Sequence, residues 1–224
     1  MRLYGFWRSL ATLRVRIAMN LKGLEREEVM VDLQAGVQHS PEYRAVNPQG
    51  VLPALIDGDG PPLFQSLAIL EYLDERFPKP PLLPSDARGR ARVRGLAQIV
   101  ACDSHPLIVP RIREFLEREF ALDEAQRLAW CRHWLAEGLR AIEAHLANDA
   151  ESGAYCHGDT ETMADVCLIS LAVGYRHYFQ GRLEDFPKSA AVVERCLADD
   201  AFARAHPLRQ PDAPKVPRPR SSAP

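Results

Sequence analysis

The sequence has no long apolar run and little excess of charge of either sign. No window approaches the roughly 18 uncharged apolar residues that a membrane-spanning helix needs, and residues 1–10 are typical of a strand rather than of a signal peptide. The formal net charge is −2 in 224 residues, which gives no general attraction to nucleic acid. We therefore expect a soluble, cytoplasmic protein that binds neither a membrane nor nucleic acid.

Cysteines are few and do not form recognisable pairs. The five are Cys102, Cys131, Cys156, Cys167 and Cys196, an odd and scattered set without a C-x-x-C motif or a zinc spacing. We interpret them as reduced thiols, with Cys102 and Cys167 in the core, and we predict no metal site.

The first eighty residues alternate between strand-like and helix-like patterns. The runs "RLYGF" and "EEVMVDL" are typical of strands, and between them Leu13, Ile17 and Leu21 recur at every fourth position, as on one face of a helix. A short helix-like run, "SPEYRAV", is followed by two strand-like runs around an Asp-Gly turn and then by "SLAILEYLDERF". The order βαβαββα predicts a thioredoxin-like α/β domain with a mixed sheet over residues 1–79.

Prolines mark the end of this domain. The run "PKPPLLP" has four prolines in seven residues, which neither a helix interior nor a central strand tolerates, so we place a linker at residues 80–86. Residues 87–210 are predicted to be all-helical, with a kink at His105-Pro106 and a capping box at Thr162–Asp165. Residues 211–224 are rich in proline and lack periodicity, which predicts a disordered tail.

Ser9 and Thr12 lie where the first strand gives way to a helix. The amides and the positive dipole end of such a helix can hold an anion such as a thiolate. An ordinary thiol, with a pKa of about 8.5, is only slightly ionised at neutral pH, and a hydrogen bond to a charged group contributes about 1.5–3 kcal/mol. The two hydroxyls therefore either stabilise a thiolate or simply cap the helix, and their spacing leaves both interpretations open.

Two further segments carry polar groups that suit a peptide ligand. In a thioredoxin-like layout a cis proline at Leu52-Pro53 could turn the preceding backbone toward a bound peptide, although an ordinary proline at a strand start has the same sequence. Gln65 and Ser66 lie at a predicted helix start, which suits a carboxylate. Ser66 is equally typical of a plain helix cap.

Taken together, these segments resemble the glutathione transferase family, and its zeta class in particular. The resemblance covers residues 2 to about 210 through "FWRSLATLRVRIAMNLKG", "NPQGVLPAL", "QSLAILEYLDE" and "TMADVCL", in that order. The runs "IVACDSHP" and "GDTETMADVCL" are similar to those of the bacterial glutathione-dependent maleylpyruvate isomerases. The resemblance implies glutathione as the cofactor, a small dicarboxylate as the substrate, and a homodimer.

Matching positions in the motifs imply roles for individual residues. Ser9 would activate the sulfur, with Thr12 and Arg8 beside it as catalytic residues. The residues implied for glutathione binding are Ser9, Gln38, His39, Leu52, Pro53, Gln65 and Ser66. The residues implied for binding the substrate are Arg8, His105, Arg111 and Arg176. Five further arginines we interpret as surface residues: Arg14, Arg16, Arg90, Arg92 and Arg94.

One position departs from the zeta pattern, because Ala11 stands where the family has a cysteine. Alanine cannot resolve a mixed disulfide, so reductive dehalogenation is not expected. The resemblance implies instead a cis–trans isomerase that converts maleylpyruvate or maleylacetoacetate to the fumaryl isomer, by addition and elimination of the glutathione thiolate. A broad glutathione transferase that conjugates electrophiles is one alternative. A non-catalytic interaction protein on the same fold is another.

Overall fold

The computed structural model describes residues 1–214. Its strands are β1 (Arg2–Gly5), β2 (Glu27–Met30), β3 (Ala54–Ile56) and β4 (Leu63–Phe64). Its α-helices are α1 (Leu10–Leu21), α2 (Pro41–Val46), α3 (Ser66–Arg76), α4 (Ala87–Gln98), α5 (Pro110–Phe120), α6 (Glu124–Asn148), α7 (Met163–Val173), α8 (Pro187–Ala198) and α9 (Asp200–Ala205).

The four strands form one mixed sheet in the order β2-β1-β3-β4. β1 pairs in parallel with β2, whereas the β1–β3 and β3–β4 pairs are antiparallel. Leu3 and Leu55 pack into the main core. Phe6, Trp7 and Leu52 pack instead with Tyr43 of α2 in a separate small cluster. The thioredoxin-like α/β prediction for the N-terminal part is confirmed.

Helix α1 runs through the middle of the molecule. Ser9 caps its first turn, and Gly23, with a φ of +64°, follows its last residues. Every residue from Leu10 to Met19 is buried, because α1 contacts α3 as well as α7 and α9 of the helical part. The fourfold spacing of Leu13, Ile17 and Leu21 predicts the helix correctly. It indicates one buried face, whereas the helix is buried on all sides.

The helical part is built around α7, whose eleven residues are all buried. Its predicted capping box is confirmed. The amide N–H of Thr162 donates to Asp165 Oδ2 at 2.8 Å, and the Thr162 hydroxyl donates to the same oxygen at 2.8 Å. The regular helix is also interrupted where the kink at His105-Pro106 is predicted. Helix α4 ends at Gln98, a π-helical segment follows at Ile99–Ser104, and a 3-10 turn spans His105–Leu107 before α5 begins.

The segment between α3 and α4 contains the proline run. It is tightly held, because Leu82 and Leu83 are buried and Lys22 Nζ donates to the backbone oxygens of Phe77 and Pro80. A single hydrophobic core contains residues from both sides of this segment. The domain boundary at residues 80–86 therefore stays a prediction.

Three placements differ from the sequence-based expectation. Arg14 and Arg16 are not surface residues, since each is 1% exposed, and both find polar partners outside their own helix. Cys102 is exposed rather than in the core. The predicted disordered tail begins too early, because Asp212 and Ala213 pack against the N-terminal part. The rest of that predicted tail, residues 215–224, lies outside the described residues.

Candidate active site

One edge of the sheet collects the polar residues singled out in the N-terminal part. β1 and β4 end at this edge, and β3 begins there. Extending the observed registers by two positions places Phe6 opposite Leu52, and Leu52 opposite Ser66. The loop after β1, the start of β3 and the start of α3 therefore meet at one place.

Ser9 stands at the end of the loop after β1. Its amide donates to the backbone oxygen of Phe6 at 3.0 Å, and its Oγ accepts from the amide of Thr12 at 3.2 Å. The helix cap therefore uses Ser9 only as an acceptor. Its hydroxyl proton is left to donate to a ligand at the positive end of α1.

The structure does not support a direct catalytic role for Thr12. Its side chain is 0% exposed, and a Cβ added at Gly5 would lie 2.5 Å from its methyl carbon. The methyl group thus fills the space beside β1, and the hydroxyl is buried without a partner among residues 1–214. Ser9 is the hydroxyl of this pair that a ligand can reach.

The loop before β3 is fixed by its own hydrogen bonds. Tyr43 Oη and Asn47 Nδ2 both donate to the backbone oxygen of Val51 at 2.8 Å. Leu52 and Pro53, joined by a cis peptide bond, follow directly and are buried. The backbone of Leu52 is thereby held at the sheet edge, as the resemblance implies.

Gln38 and His39 lie beside this loop. Gly50 has a φ of +65°, and a Cβ there would lie 3.1 Å from the backbone oxygen of Gln38, so the two segments touch. Gln38 is buried, its Nε2 lies 3.2 Å from His39 Nε2, and its Oε1 has no partner in the described chain. His39 is exposed.

Gln65 and Ser66 occupy the start of α3. Gln65 has a φ of +68°, in the left-handed region that non-glycine residues rarely adopt. Its side chain is exposed and donates to Gln49 Oε1 at 2.9 Å. Ser66 is buried, and its Oγ accepts from Arg14 Nη1 at 3.1 Å. Both residues thus face the same edge as Ser9.

A group of cationic and aromatic side chains covers the neighbouring part of the helical half. The guanidinium of Arg8 lies over the ring of Tyr178, 4.8 Å from its centroid. The guanidinium of Arg113 lies 6.0 Å from the centroid of the next ring, Phe179. Arg113 Nε and the Tyr178 hydroxyl are buried without partners in the described chain. Burial lowers the pKa of Arg113. Cys131 opposes this shift, and the charge of Arg8 adds to it.

The other predicted substrate residues, His105, Arg111 and Arg176, lie in the helical half and differ in exposure. Burial, followed by the charges of Arg14 and Arg111, holds the pKa of His105 well below its usual range, so His105 is neutral near pH 7. Arg111 is exposed, and so is Arg176, whose charge lowers the pKa of the adjacent His177 after the larger effect of burial.

Comparisons with known proteins show the family of the chain. Residues 1–75 match the family "Glutathione S-transferase, N-terminal domain". A maleylpyruvate isomerase from Ralstonia is 46% identical over 213 residues, which are 95% of this chain and 100% of that protein. The chain belongs to the maleylpyruvate and maleylacetoacetate isomerase family of glutathione transferases.

Solved structures of this isomerase family superpose closely on the chain. A maleylacetoacetate isomerase from Methylobacterium extorquens AM1, with bound malonate and GSH, has a TM-score of 0.93 and 53% identity over 96% of this chain and 100% of that one. A maleylpyruvate isomerase described as a bacterial zeta-class transferase has a TM-score of 0.92 and 46% identity over the same shares. The resemblance stated from the sequence motifs is confirmed.

The sequence did not predict that three further residues lie at the candidate active site. Arg14, Arg113 and Tyr178 all lie near the predicted residues, yet none stands in a motif that predicts its role. Arg14 offers the one usable signal, because it falls, like Arg16, within a largely apolar buried run of α1. Arg113 and Tyr178 are brought to the site by α5 and by the π-helical segment Gly174–Tyr178, which no local pattern predicts.

Proposed function

We propose that the chain is a glutathione-dependent cis–trans isomerase that converts a maleyl dicarboxylate, maleylpyruvate or maleylacetoacetate, into its fumaryl isomer. The observation that carries this proposal is the combination of a free hydroxyl at the start of α1 with the two guanidinium groups of Arg8 and Arg113 nearby. Relatives that share nearly the whole chain have this activity in their names, and the solved structure of the Methylobacterium extorquens protein holds both GSH and malonate, a dicarboxylate.

The residues at the sheet edge fit glutathione. Gln38 Oε1 is a buried acceptor without a partner in the part of the chain that the structure describes. Leu52 presents its backbone at the start of β3, and Ser66 lies at a helix start that favours a carboxylate. When bound, glutathione supplies a thiolate that adds reversibly to the maleyl double bond, so that rotation is possible before the thiolate leaves.

Ser9 has the role of keeping the sulfur ionised. Its hydroxyl donates to the anion, and the first amides of α1 add the positive end of the helix dipole. The hydroxyl contributes about 1.5–3 kcal/mol and the dipole about 0.3–1 kcal/mol. One pKa unit corresponds to about 1.4 kcal/mol, so together they favour the thiolate near pH 7.

Arg8 and Arg113 have the role of holding the substrate. Guanidinium groups bind carboxylates through paired hydrogen bonds and keep their charge at all relevant pH values. Two such groups on neighbouring rings match a substrate with two carboxylates, and they can also stabilise the negative charge that develops on its carbonyl oxygen. His105, Arg111 and Arg176 remain proposed substrate residues, with His105 acting as a neutral hydrogen-bonding group.

The family resemblance also supports a cytoplasmic homodimer as part of this proposal. Phe64, on β4 next to Gln65, is 56% exposed, and an apolar side chain at this position favours contact with a second subunit. Sedimentation equilibrium of the purified chain tests the dimer directly.

Glutathione titration by calorimetry, followed by assays on both maleyl acids, tests the proposed function. We expect saturable binding and isomerisation without consumption of glutathione. Conjugation of a chlorinated aromatic without isomerisation would favour the broad transferase. If no glutathione binds at millimolar concentration, both enzymatic interpretations fail and the interaction protein remains.

A further inference from the structure

Arg14 is a buried cation between the two halves of the chain. It lies in α1 and is 1% exposed. Its Nε donates to Ser170 Oγ on α7 at 2.7 Å, and its Nη1 donates to Ser66 Oγ at the start of α3 at 3.1 Å. Nη2 is buried and has no partner in the described chain. The guanidinium thus contacts the proposed glutathione site from the protein interior, through Ser66.

Both partners of Arg14 are neutral hydroxyls. Among residues 1–214 no carboxylate forms an ion pair with it. Burial lowers the pKa of Arg14, and nearby thiols oppose that effect only in part. A buried charge without a counter-charge lowers the stability of the fold, and an apolar side chain of similar size would fill the same space without that loss of folding free energy. An anion that arrives with a ligand would remove this cost.

The hydrogen bond from Arg14 to Ser66 restricts the direction of the Ser66 hydroxyl proton. Because Ser66 Oγ accepts from Arg14, its own hydroxyl proton must point elsewhere. Ser170 shows the contrasting case, since it also accepts from Arg14 but donates to the backbone oxygen of Cys167 at 2.7 Å. No acceptor for the Ser66 hydroxyl is present among the described residues, so its proton is available at the start of α3.

We propose that Arg14 is a positioning residue for the γ-glutamyl carboxylate of glutathione: it turns the Ser66 hydroxyl toward that carboxylate and supplies the positive charge beneath it. This inference rests on the proposed function, because it concerns how the same site recognises one end of the cofactor. Ser170 braces the guanidinium from α7, so the helical half of the chain contributes to cofactor binding without touching the cofactor.

The test compares two ligands by calorimetry. One is glutathione, and the other is γ-aminobutyryl-cysteinyl-glycine, which lacks only the carboxylate in question. For Arg14→Met we expect glutathione to bind about 10- to 100-fold more weakly, the range of a lost hydrogen bond to a charged group. The analogue should bind equally to the variant and to the unaltered protein. Arg14→Lys should restore part of the difference.

Arg16→Met is the matched control. Arg16 lies on the same helix, is equally buried and pairs with Glu28, so its loss lowers stability without discriminating between the two ligands. Ser170→Ala keeps Arg14 but removes its brace, and it should weaken glutathione selectively by a smaller factor. Ser170→Ala and Arg14→Lys decide the matter if Arg14→Met does not fold.

These variants could instead bind both ligands equally more weakly, or bind both as well as the unaltered protein does. Either result would show that Arg14 is merely structural. That result leaves the proposed function intact, since the unaltered protein still binds glutathione. Failure of the unaltered protein to bind glutathione would instead overturn the proposed function and this inference with it.

Discussion

The carboxylate of Asp212 accepts a hydrogen bond from the backbone N–H of Trp7 at 2.8 Å, across 205 positions of the chain. The next residue, Ala213, packs on the small cluster that contains Phe6, Trp7 and Leu52. The last described residues therefore hold the loop that presents Arg8 and Ser9. A segment whose composition predicts disorder helps to shape the candidate active site.

Asp212→Ala should loosen this loop. The partly buried amide of Trp7 loses its acceptor, which costs about 1–3 kcal/mol. We expect a lower melting temperature, faster hydrogen exchange at Trp7 and a reduced kcat/KM. Asp200→Ala is the control, since it removes another carboxylate nearby in the sequence whose ion pair with Arg204 is exposed. Identical effects of the two variants would mean that the Trp7 contact does not matter.

Ser9 has two separable functions, capping α1 and donating to the cofactor sulfur. Ser9→Ala removes both, so we expect turnover to fall at least about tenfold and stability to fall by about 1 kcal/mol. Ser9→Asp keeps an acceptor for the amide of Thr12 but has no proton to donate, so it should restore stability and not turnover. The ultraviolet absorbance of the bound thiolate, together with thermal melts, separates the two functions. Recovery of turnover in the aspartate variant would contradict the role proposed for the hydroxyl.

Arg113 is predicted to bind the dicarboxylate substrate. Arg113→Met keeps the bulk of the side chain against Phe179 but removes its charge, so we expect the KM for the maleyl substrate to rise about tenfold while the KM for glutathione is unchanged. Arg118→Met, an exposed position on the same helix, serves as the control. Steady-state kinetics that vary each substrate in turn give both constants, and a rise in the glutathione KM alone would argue against this assignment.

Local features were predictable from the sequence, and distant partnerships were not. The periodicity of α1, the capping box at Thr162–Asp165 and the kink at Pro106 depend on neighbours within about four positions. Burial of Arg14 depends on Ser170, which lies 156 positions away, and burial of Arg16 depends on a strand. Composition alone therefore places both arginines at the surface. The motif resemblance selects Ser9 and Ser66, which the fold brings to one edge of the sheet, because a family motif carries such distant information implicitly.

Contact between α1 and the end of α7 depends on the absence of a side chain at Gly174. A Cβ at Gly174 would lie 2.5 Å from Leu10 Cδ1, so Gly174→Ala should destabilise the chain by about 1–3 kcal/mol through overpacking. Gly95, also within a helical stretch, has nothing within 4 Å of such a Cβ, and Gly95→Ala should gain up to about 1 kcal/mol from helix propensity. Urea denaturation of both variants checks the contrast, and a gain at Gly174 would show that Leu10 moves aside freely.

Arg16 and Glu28 tie α1 to β2. Both oxygens of Glu28 accept from the buried guanidinium, at distances of 2.6–3.0 Å. Burial by itself would raise the pKa of Glu28, but the hydrogen bond and charge of Arg16, followed by those of Arg26, outweigh it. The pKa of Glu28 therefore lies below its ordinary value of 4.5.

This lowered pKa makes the contribution of Glu28 to stability depend on pH. The unfolded chain binds the proton more readily than the folded one, so the contribution is complete above the ordinary pKa and is lost as the pH falls through the lowered one. Glu28→Gln should reduce the free energy of unfolding by about 1–2 kcal/mol at about pH 7, and by clearly less at about pH 3. Glu27→Gln, at an exposed neighbouring position on the same strand, should show no such convergence. The loss of unfolding free energy in Glu28→Gln could instead be the same at both pH values. That result would mean that the carboxylate has the same pKa in the folded and unfolded states, and that the pair with Arg16 contributes through shape rather than charge.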